Sequence, residues 1–265
     1  MRQYYPYAFK RKSFRRFNSE LALSSEEIED VESFLLTRMI KLNPEVLVAT
    51  QVVLTAETTC KRGSHCVLIY SEHTGQGLLN VGYALQQLDL YLASKDIGAC
   101  WYGMGKVPST IYNGLPFTVM IAIGKANPDE FRKDYKKATR KMLEEIWTGE
   151  PLGDMGPYVK LAPSTCNAQP WHFSYVDGIL EVRMQCKEKM IVPKDKIEFY
   201  NAIDMGIILL FIDIWLDENS VVYKRELLIS DGVLKNGDVV ARYEVIHNLN
   251  SFESEFSVYG SLIFL

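Results

Sequence analysis

Three short segments of the chain combine residue types that suit an anionic or polar ligand. The first places four cations and a hydroxyl before Phe17, in the order Arg11, Lys12, Ser13, Phe14, Arg15, Arg16. Arginine offers a planar fork of donors that matches a phosphate or carboxylate, and lysine offers a point charge. The alternative is a solvated basic tail, because chain termini are usually exposed. The segment therefore predicts anion binding without proving it.

The second segment is a loop between two prolines that is rich in hydroxyl and amide groups. It runs Ala162, Pro163, Ser164, Thr165, Cys166, Asn167, Ala168, Gln169, Pro170, Trp171, His172, Phe173. Prolines fix an irregular backbone, and the hydroxyls and amides supply both donors and acceptors. A turn that satisfies its own backbone is the alternative, but it needs fewer polar side chains than this loop carries. The composition favours contact with a polar, planar ligand.

The third segment, residues 96–106, is a glycine-spaced loop with Gly98, Gly103 and Gly105. Glycine lets backbone N–H groups approach a ligand closely. The alternative is a helix cap at Gly98 followed by a bulge. The loop is not a dinucleotide fingerprint, because the third glycine is missing and the loop follows a helix instead of opening one.

The elements that would position these segments fall into two similar halves. Ser24 and Glu27 form a capping box ahead of a helix. Each half then shows strand material, one long apolar helix that contains a glycine (Gly82 or Gly206), and more strand material. This order suggests a diverged duplication with a linker at about 149–157, and hence repeats at 1–149 and 150–265. The predicted strands are 46–56, 66–70, 118–123, 173–176, 179–184, 221–229 and 239–246, and the helices are 78–94 and 203–216.

Composition narrows the class of protein. The 265 residues include 29 basic and 33 acidic side chains, so the excess of positive charge that drives most nucleic-acid binding is absent. Five cysteines form no C-x-x-C pair, and no two of the four histidines have metal-ligand spacing. The apolar run 203–216 is interrupted by Asp204 and Asp213 and is shorter than the roughly 20 residues that a bilayer requires. We expect a cytoplasmic protein that does not bind membranes, nucleic acid or a metal.

Together the three segments resemble the FMN-dependent nitroreductase family, over roughly residues 10–215. The family patterns are R-[RK]-S-x-R-x-F, A-P-S-x-x-N-x-Q-P-W and G-x-x-W-x-G, and the second is matched almost residue for residue. The resemblance implies an α+β fold with a mostly antiparallel sheet flanked by helices. It also implies FMN as cofactor, NADH or NADPH as electron donor, and a nitro compound, quinone or similar small molecule as acceptor.

The resemblance assigns roles to particular residues. Arg11 would meet the FMN phosphate, Lys12 and Ser13 the phosphate or ribityl chain, and Arg15 the pyrimidine edge of the ring. The glycine loop, with Trp101 and the Tyr102-Gly103 backbone, would approach flavin N5. The flavin ring and ribityl chain would be covered from the other half by Pro163, Ser164, Thr165 and Asn167. Arg140 would be a further phosphate ligand. The flavin carries the chemistry, so no protein acid or base is implied.

The order of the motifs departs from the family. Ordinary members carry the A-P-S-x-x-N loop before the central helix, whereas here residues 47–60 lack it and the loop follows that helix. Ordinary members are also homodimers whose flavin sites lie at the subunit interface. The resemblance therefore implies a monomeric, fused pseudo-dimer with one complete site. One alternative function is that of an FMN-binding or flavin-sequestering protein with little turnover. Flavin fragmentation and dehalogenation, which other members of the family catalyse, are further alternatives.

Overall fold

A computed structural model describes residues 1–187, 191–229 and 232–246, and these form an α+β fold. The helices are α1 (Tyr5–Lys10), α2 (Ser25–Thr37), α3 (Gly75–Ser94), α4 (Met155–Val159) and α5 (Ile197–Glu218). The strands are β1 (Val48–Leu54), β2 (His65–Ser71), β3 (Ile97–Tyr102), β4 (Ile111–Tyr112), β5 (Leu115–Lys125), β6 (Trp147–Gly149), β7 (Trp171–Val176), β8 (Ile179–Met184), β9 (Val222–Leu227) and β10 (Val239–Ile246). The α+β class and nearly all of the predicted elements are confirmed.

The described strands form two five-stranded sheets with the same core topology. The first has the order β1-β2-β5-β3, with β4 paired to β5, and the second has the order β7-β8-β10-β9, with β6 at its edge. In each, an antiparallel hairpin leads into a long helix, and the last strand then inserts beside the second. Every pairing is antiparallel except that of β6 with β7. The strand β6 follows the first sheet in sequence but pairs with β7 at the edge of the second sheet.

Local signals in the sequence explain several element boundaries. Ser24 accepts from the Glu27 backbone N–H, and Glu27 accepts from that of Ser24, as the capping box requires. Asp177 and Gly178 join β7 to β8 with φ of 50° and 76°, and positive values at both positions define the favoured two-residue hairpin turn.

The loop predicted at residues 96–106 is wrong over 97–102, which form β3, and the alternative of a helix cap at Gly98 is wrong as well. The helix α3 ends at Ser94 with Lys95 as its C-cap, and the next residue, Asp96, takes the left-handed φ of 57°. Gly98 lies inside β3. A Cβ at Gly98 would lie 3.1 Å from ring atoms of both Phe14 and Phe17. This glycine makes room for the aromatic residues of the N-terminal segment.

The two long helices cross at a pair of glycines in the centre of the molecule. A Cβ on Gly82 of α3 would lie 1.9 Å from the Ile203 carbonyl oxygen, and one on Gly206 of α5 would lie 2.0 Å from that of Leu79. Each glycine thus meets the carbonyl three residues before the other glycine. This reciprocal contact places an approximate two-fold axis at the crossing.

Helix α5 is apolar on all sides because other elements enclose it. By length and composition residues 194–218 could cross a bilayer, yet 89% of their most apolar window is buried within the protein. Enclosure in a protein core demands the same composition. Its two acidic residues, Asp204 and Asp213, are only 2% and 3% exposed, so both carboxylates need partners inside the protein.

Candidate functional site

The N-terminal cationic segment lies against the strand that leads into the glycine loop. The Phe14 backbone N–H donates to the Ala99 carbonyl over 2.9 Å, and Ser13 forms a parallel bridge with Ala99. Phe14 is buried against Phe131. The structure therefore brings the first and third predicted segments together at β3.

Arg11 is engaged by a buried carboxylate that the sequence motifs did not single out. Its Nε lies 3.0 Å from Asp89 Oδ2 on α3, and both side chains are 2% exposed. The two atoms are not aligned for a hydrogen bond, so the contact is an ion pair. Burial raises the pKa of Asp89, although the Arg11 charge opposes the shift. The signal available in the sequence was a single acid, Asp89, between two apolar residues of a helix.

Two further arginines surround this pair and give the site surplus positive charge. Burial, followed by repulsion from Arg11, lowers the pKa of Arg132 to about 10. Burial, with repulsion from Arg11 and Arg132, lowers the pKa of Arg140 to about 10 as well. Among the described residues, the buried Nη1 of Arg132 has no hydrogen-bond acceptor. Arg11 and Arg132 thus both act on the Asp89 carboxylate, and Arg140 lies near enough to these two arginines to be repelled by them.

Arg140 connects these cations to the A-P-S-x-x-N loop. Its Nη1 donates to Asn167 Oδ1 over 3.2 Å, and its Nη2 donates to the Leu161 carbonyl over 3.1 Å. Further N–H groups of Arg140 donate to the carbonyls of Lys160 and Thr139. The structure therefore joins Arg140 to Asn167 by a hydrogen bond, while the other N–H groups of the guanidinium hold the loop.

The A-P-S-x-x-N loop has a constrained backbone. Cys166, Asn167 and Gln169 take left-handed φ of 51°, 55° and 49°, which costs energy for residues other than glycine. Ser164 Oγ accepts from the Gln169 N–H over 2.8 Å, and Lys141 binds Gln169 through its own N–H and its ammonium group. Surrounding contacts hold the loop in place, so its polar groups are fixed in position before any ligand arrives.

The helix α5 contacts both the A-P-S-x-x-N loop and the glycine loop. Asp204 accepts from the Thr165 N–H through both oxygens, at 3.0 and 3.1 Å. One turn earlier, the Tyr200 hydroxyl donates to the Gly103 carbonyl over 2.7 Å. A Cβ on Gly103 would lie 2.9 Å from the Tyr200 ring, so the contact requires glycine there. The second half of the chain thus fixes the glycine loop of the first half.

The remaining predicted residues lie around this site in different environments. Lys12 places its ammonium 4.8 Å from the centre of the Phe14 ring, Arg15 is exposed, and Trp101 donates to Gln86 Oε1 over 3.2 Å. Pro163 is buried at the start of its loop. Arg132, Asp89, Asp204 and Tyr200 were not predicted as site residues; Asp204 was noted only as a break in an apolar run.

The site and fold define an α+β protein with a cationic, two-sided binding region, and comparison with known proteins gives its family. A family model described as "Putative TM nitroreductase" matches residues 4–216. The match spans most of the chain, so the chain belongs to this nitroreductase family. Family membership supports a flavin-dependent oxidoreductase as the class of protein.

One solved structure shares the fold, and two others are similar over about half of this chain. A structure from Thermotoga maritima described as a "putative nitroreductase" has a TM-score of 0.62 at 17% identity, covering 91% of this chain and 93% of that chain. A nitroreductase family protein from Clostridium novyi gives 0.38 at 14% identity, over 50% and 89% of the two chains. A protein from Parabacteroides distasonis described as "Putative NADH dehydrogenase/NAD(P)H nitroreductase" gives 0.39 at 14% identity, over 54% and 99%. Among curated proteins, no sequence matches this chain.

Proposed function

We propose that this protein is an oxidoreductase that binds FMN and passes hydride from NADH or NADPH to a nitro compound, quinone or similar acceptor. The observation that carries the proposal is the buried Arg132 Nη1, which has no acceptor among the described residues. Leaving a buried cationic N–H group without an acceptor is costly. A bound phosphate would supply the missing acceptor and balance the charge of Arg11, Arg132 and Arg140.

The other residues around this cation fit the rest of a flavin mononucleotide. Ser164, Thr165 and Asn167 lie partly exposed on a loop that Arg140 ties to the cationic site. Ribityl hydroxyls and the edge of a flavin ring need such mixed donors and acceptors. The residues present therefore fit the group that the family implies.

We propose the following roles for residues of the chain. FMN, when bound, supplies two-electron transfer at its ring. Arg132 would hold the phosphate, while the ion pair with Asp89 holds Arg11 in place beside it. The exposed Arg15 would supply a positive charge near the pyrimidine edge, where reduced flavin is anionic. Tyr200 fixes the Gly103 carbonyl and so keeps the glycine loop in one conformation.

The division of the site between the halves supports a fused pseudo-dimer. The cationic segment and the glycine loop come from residues before 149, and the A-P-S-x-x-N loop comes from residues after 150. The two sheets share one strand order, and the central helices meet through reciprocal glycines. We propose that the two halves descend from one subunit and that the chain works as a monomer in the cytoplasm.

The visible spectrum of the purified protein tests this function. We expect flavin absorbance, either as isolated or after incubation with FMN and removal of the excess. Anaerobic addition of NADH or NADPH should bleach it, and a nitro compound or quinone should restore it. A protein that stays colourless after FMN contradicts the proposal. Bound FMN that neither nucleotide bleaches would instead identify a flavin-sequestering protein.

A further inference from the structure

Asp204 on α5 makes an unusual set of contacts for a buried carboxylate. It accepts from the Thr165 N–H at 3.0 and 3.1 Å, from Thr165 Oγ1 at 3.2 Å and from Asn201 Nδ2 at 3.1 Å. Asp89 and Asp213 each pair with an arginine, whereas Asp204 makes no ion pair with any residue that the structure describes. A buried carboxylate without a cation is costly, and its compensation here comes from the loop itself.

The same position in the first half carries a neutral group with the same task. Asn80 stands two residues before Gly82, as Asp204 stands two residues before Gly206. Asn80 accepts from the Asn43 N–H over 2.9 Å and donates to the Asn43 carbonyl over 2.8 Å, which holds the loop ahead of β1. A neutral amide therefore suffices to hold a loop at this place in the fold. Asp204 makes the related contact with a group that can ionise, although a neutral side chain would be enough to hold the loop.

We propose that Asp204 is a positioning residue that clamps the A-P-S-x-x-N loop through Thr165 and makes closure of that loop sensitive to pH. Its consequence for FMN affinity rests on the proposed function, whereas the clamp itself does not. Because Thr165 is followed by the strained residues Cys166 and Asn167, releasing Thr165 would let that strain relax. The polar groups offered to a ligand would then lose their fixed positions.

The direction of the pH effect follows from burial. Burial raises the pKa of Asp204 to about 7, against hydrogen bonds from Thr165 and Asn201 that lower it. Opening the loop would admit water and return the pKa toward about 4. The closed loop then binds more protons between these values, so closure is favoured at low pH and weakens as the pH rises through about 7.

The neighbourhood of Asp204 accommodates both ionisation states. When the carboxylate is ionised, Asn201 Nδ2 donates to it. When it is protonated, its O–H needs an acceptor, and the buried Asn201 Oδ1 has no donor among the described residues. A flip of the Asn201 amide would place Oδ1 where Nδ2 now lies. Within the described ranges, Asp204 also interacts electrostatically with the Cys186 thiol, whose pKa is raised to about 11 by burial, by Glu198 and by Asp204 itself.

Hydrogen exchange of the peptide 162–170 in the flavin-free protein tests the clamp directly. After correction for the intrinsic pH dependence of exchange, we expect wild-type protection to fall about tenfold between pH 6 and pH 8. Asp204→Asn should abolish this pH dependence. Asn80→Ala is the matched control, since it loses two comparable hydrogen bonds in the first half and should leave the peptide 162–170 unchanged. Equal pH dependence in Asp204→Asn and wild type, or an equal effect of Asn80→Ala on the loop, overturns the clamp.

A second variant covers the case in which Asp204→Asn does not fold. Thr165→Val removes one donor to the carboxylate but keeps the backbone N–H, so the pKa of Asp204 should rise further. The midpoint of the exchange transition should then move to higher pH. An unmoved midpoint contradicts the proposal.

Measured FMN affinity separates this inference from the proposed function. The FMN dissociation constant of the wild type should rise about tenfold more between pH 6 and pH 8 than that of Asp204→Asn, because ionisation of the FMN phosphate is common to both. If neither protein binds FMN, the proposed function fails while the exchange result still decides the clamp. If both bind FMN with the same pH dependence, the clamp does not control the site.

Discussion

Arg132 is the residue on which the assignment of the phosphate site depends. It is adjacent to Arg11 and Asp89, and its buried Nη1 has no acceptor within the part of the chain that the structure describes. Arg11 is already paired with Asp89, and Arg140 donates to the A-P-S-x-x-N loop. The guanidinium group best placed to receive a new anion is therefore one that the motif resemblance did not include.

Replacing Arg132 with methionine should have opposite effects on stability and ligand binding. Arg132→Met keeps much of the aliphatic volume and removes a repelled, buried charge, so the flavin-free protein should be as stable as the wild type or more stable. FMN affinity should fall about tenfold to a hundredfold, the value of one or two charge-assisted hydrogen bonds. Fluorescence quenching of FMN and thermal unfolding measure the two effects.

Riboflavin provides the internal control for this variant, because it lacks the phosphate. Its affinity should be the same for wild type and Arg132→Met. The neighbouring Lys133→Met is the matched protein control, since Lys133 is exposed and should leave FMN binding unchanged. A parallel loss of riboflavin affinity would show that Arg132 supports the fold of the site and does not bind phosphate.

At the scale of elements, the backbones of α3 and α5 approach each other closely where the two helices cross. Gly82→Ala and Gly206→Ala would each place a Cβ about 2 Å from a backbone carbonyl of the other helix. Alanine favours a helix over glycine by about 1 kcal/mol, but the helices would have to separate, and overpacking of this kind costs about 1–3 kcal/mol or more. We expect a net loss of about 2 kcal/mol or more from either change, measured by urea unfolding.

The reciprocal geometry makes this prediction specific. Because each glycine meets the same type of carbonyl in the other helix, the two losses should be similar in size. Ser33→Ala, on the exposed face of α2, is the control and should change stability by less than about 0.5 kcal/mol. A stability gain in either glycine variant would mean that the helices do not approach as closely as the structure has them.

The elements themselves were largely predictable, because local signals specify them. The Ser24 capping box, the Asp177-Gly178 turn and the apolar periodicity of α3 each act over a few residues. Gly98 was misassigned because its need for glycine comes from Phe14 and Phe17, which are remote in sequence. The strand order and the joining of β6 to the second sheet likewise depend on tertiary contacts that the sequence pattern does not reveal.

The candidate site was predictable to a lesser degree for the same reason. The motifs located the cationic segment and the two loops, whereas Asp89, Arg132 and Asp204 act through burial and through partners far along the chain. The loop related to the A-P-S-x-x-N loop was sought at residues 47–60, half of which form β1. The structure instead holds the loop ahead of β1, at Asn43, through Asn80. Asn80 and Asp204 each stand two residues before the glycine of their helix, and this shared position would have identified the two related loop contacts.

At the scale of the whole molecule, the two halves differ in the charge that surrounds their related acids. Asp89 and Asp213 each stand seven residues after the central glycine of their helix. Asp213 is closed off by an ion pair with Arg225 and by the hydroxyls of Tyr83 and Tyr243, which donate over 2.7 and 3.0 Å. That cluster is neutral and complete, whereas the cluster around Asp89 has surplus guanidinium charge. Of these two clusters, the one around Asp89 therefore has the positive charge that would bind an added anion.

This asymmetry gives an expected stoichiometry of one FMN per chain in a monomeric particle. Native mass spectrometry of the FMN-loaded protein should show a single chain with one flavin, and the ratio of flavin to protein absorbance should agree. Arg132→Met should remain monomeric while a smaller fraction of its chains carries flavin at the same FMN concentration, which separates weaker binding from loss of assembly. Two flavins per chain would show that the Asp213 side opens to a ligand. Flavin bound only to dimers would show that the two halves of one chain do not complete the site.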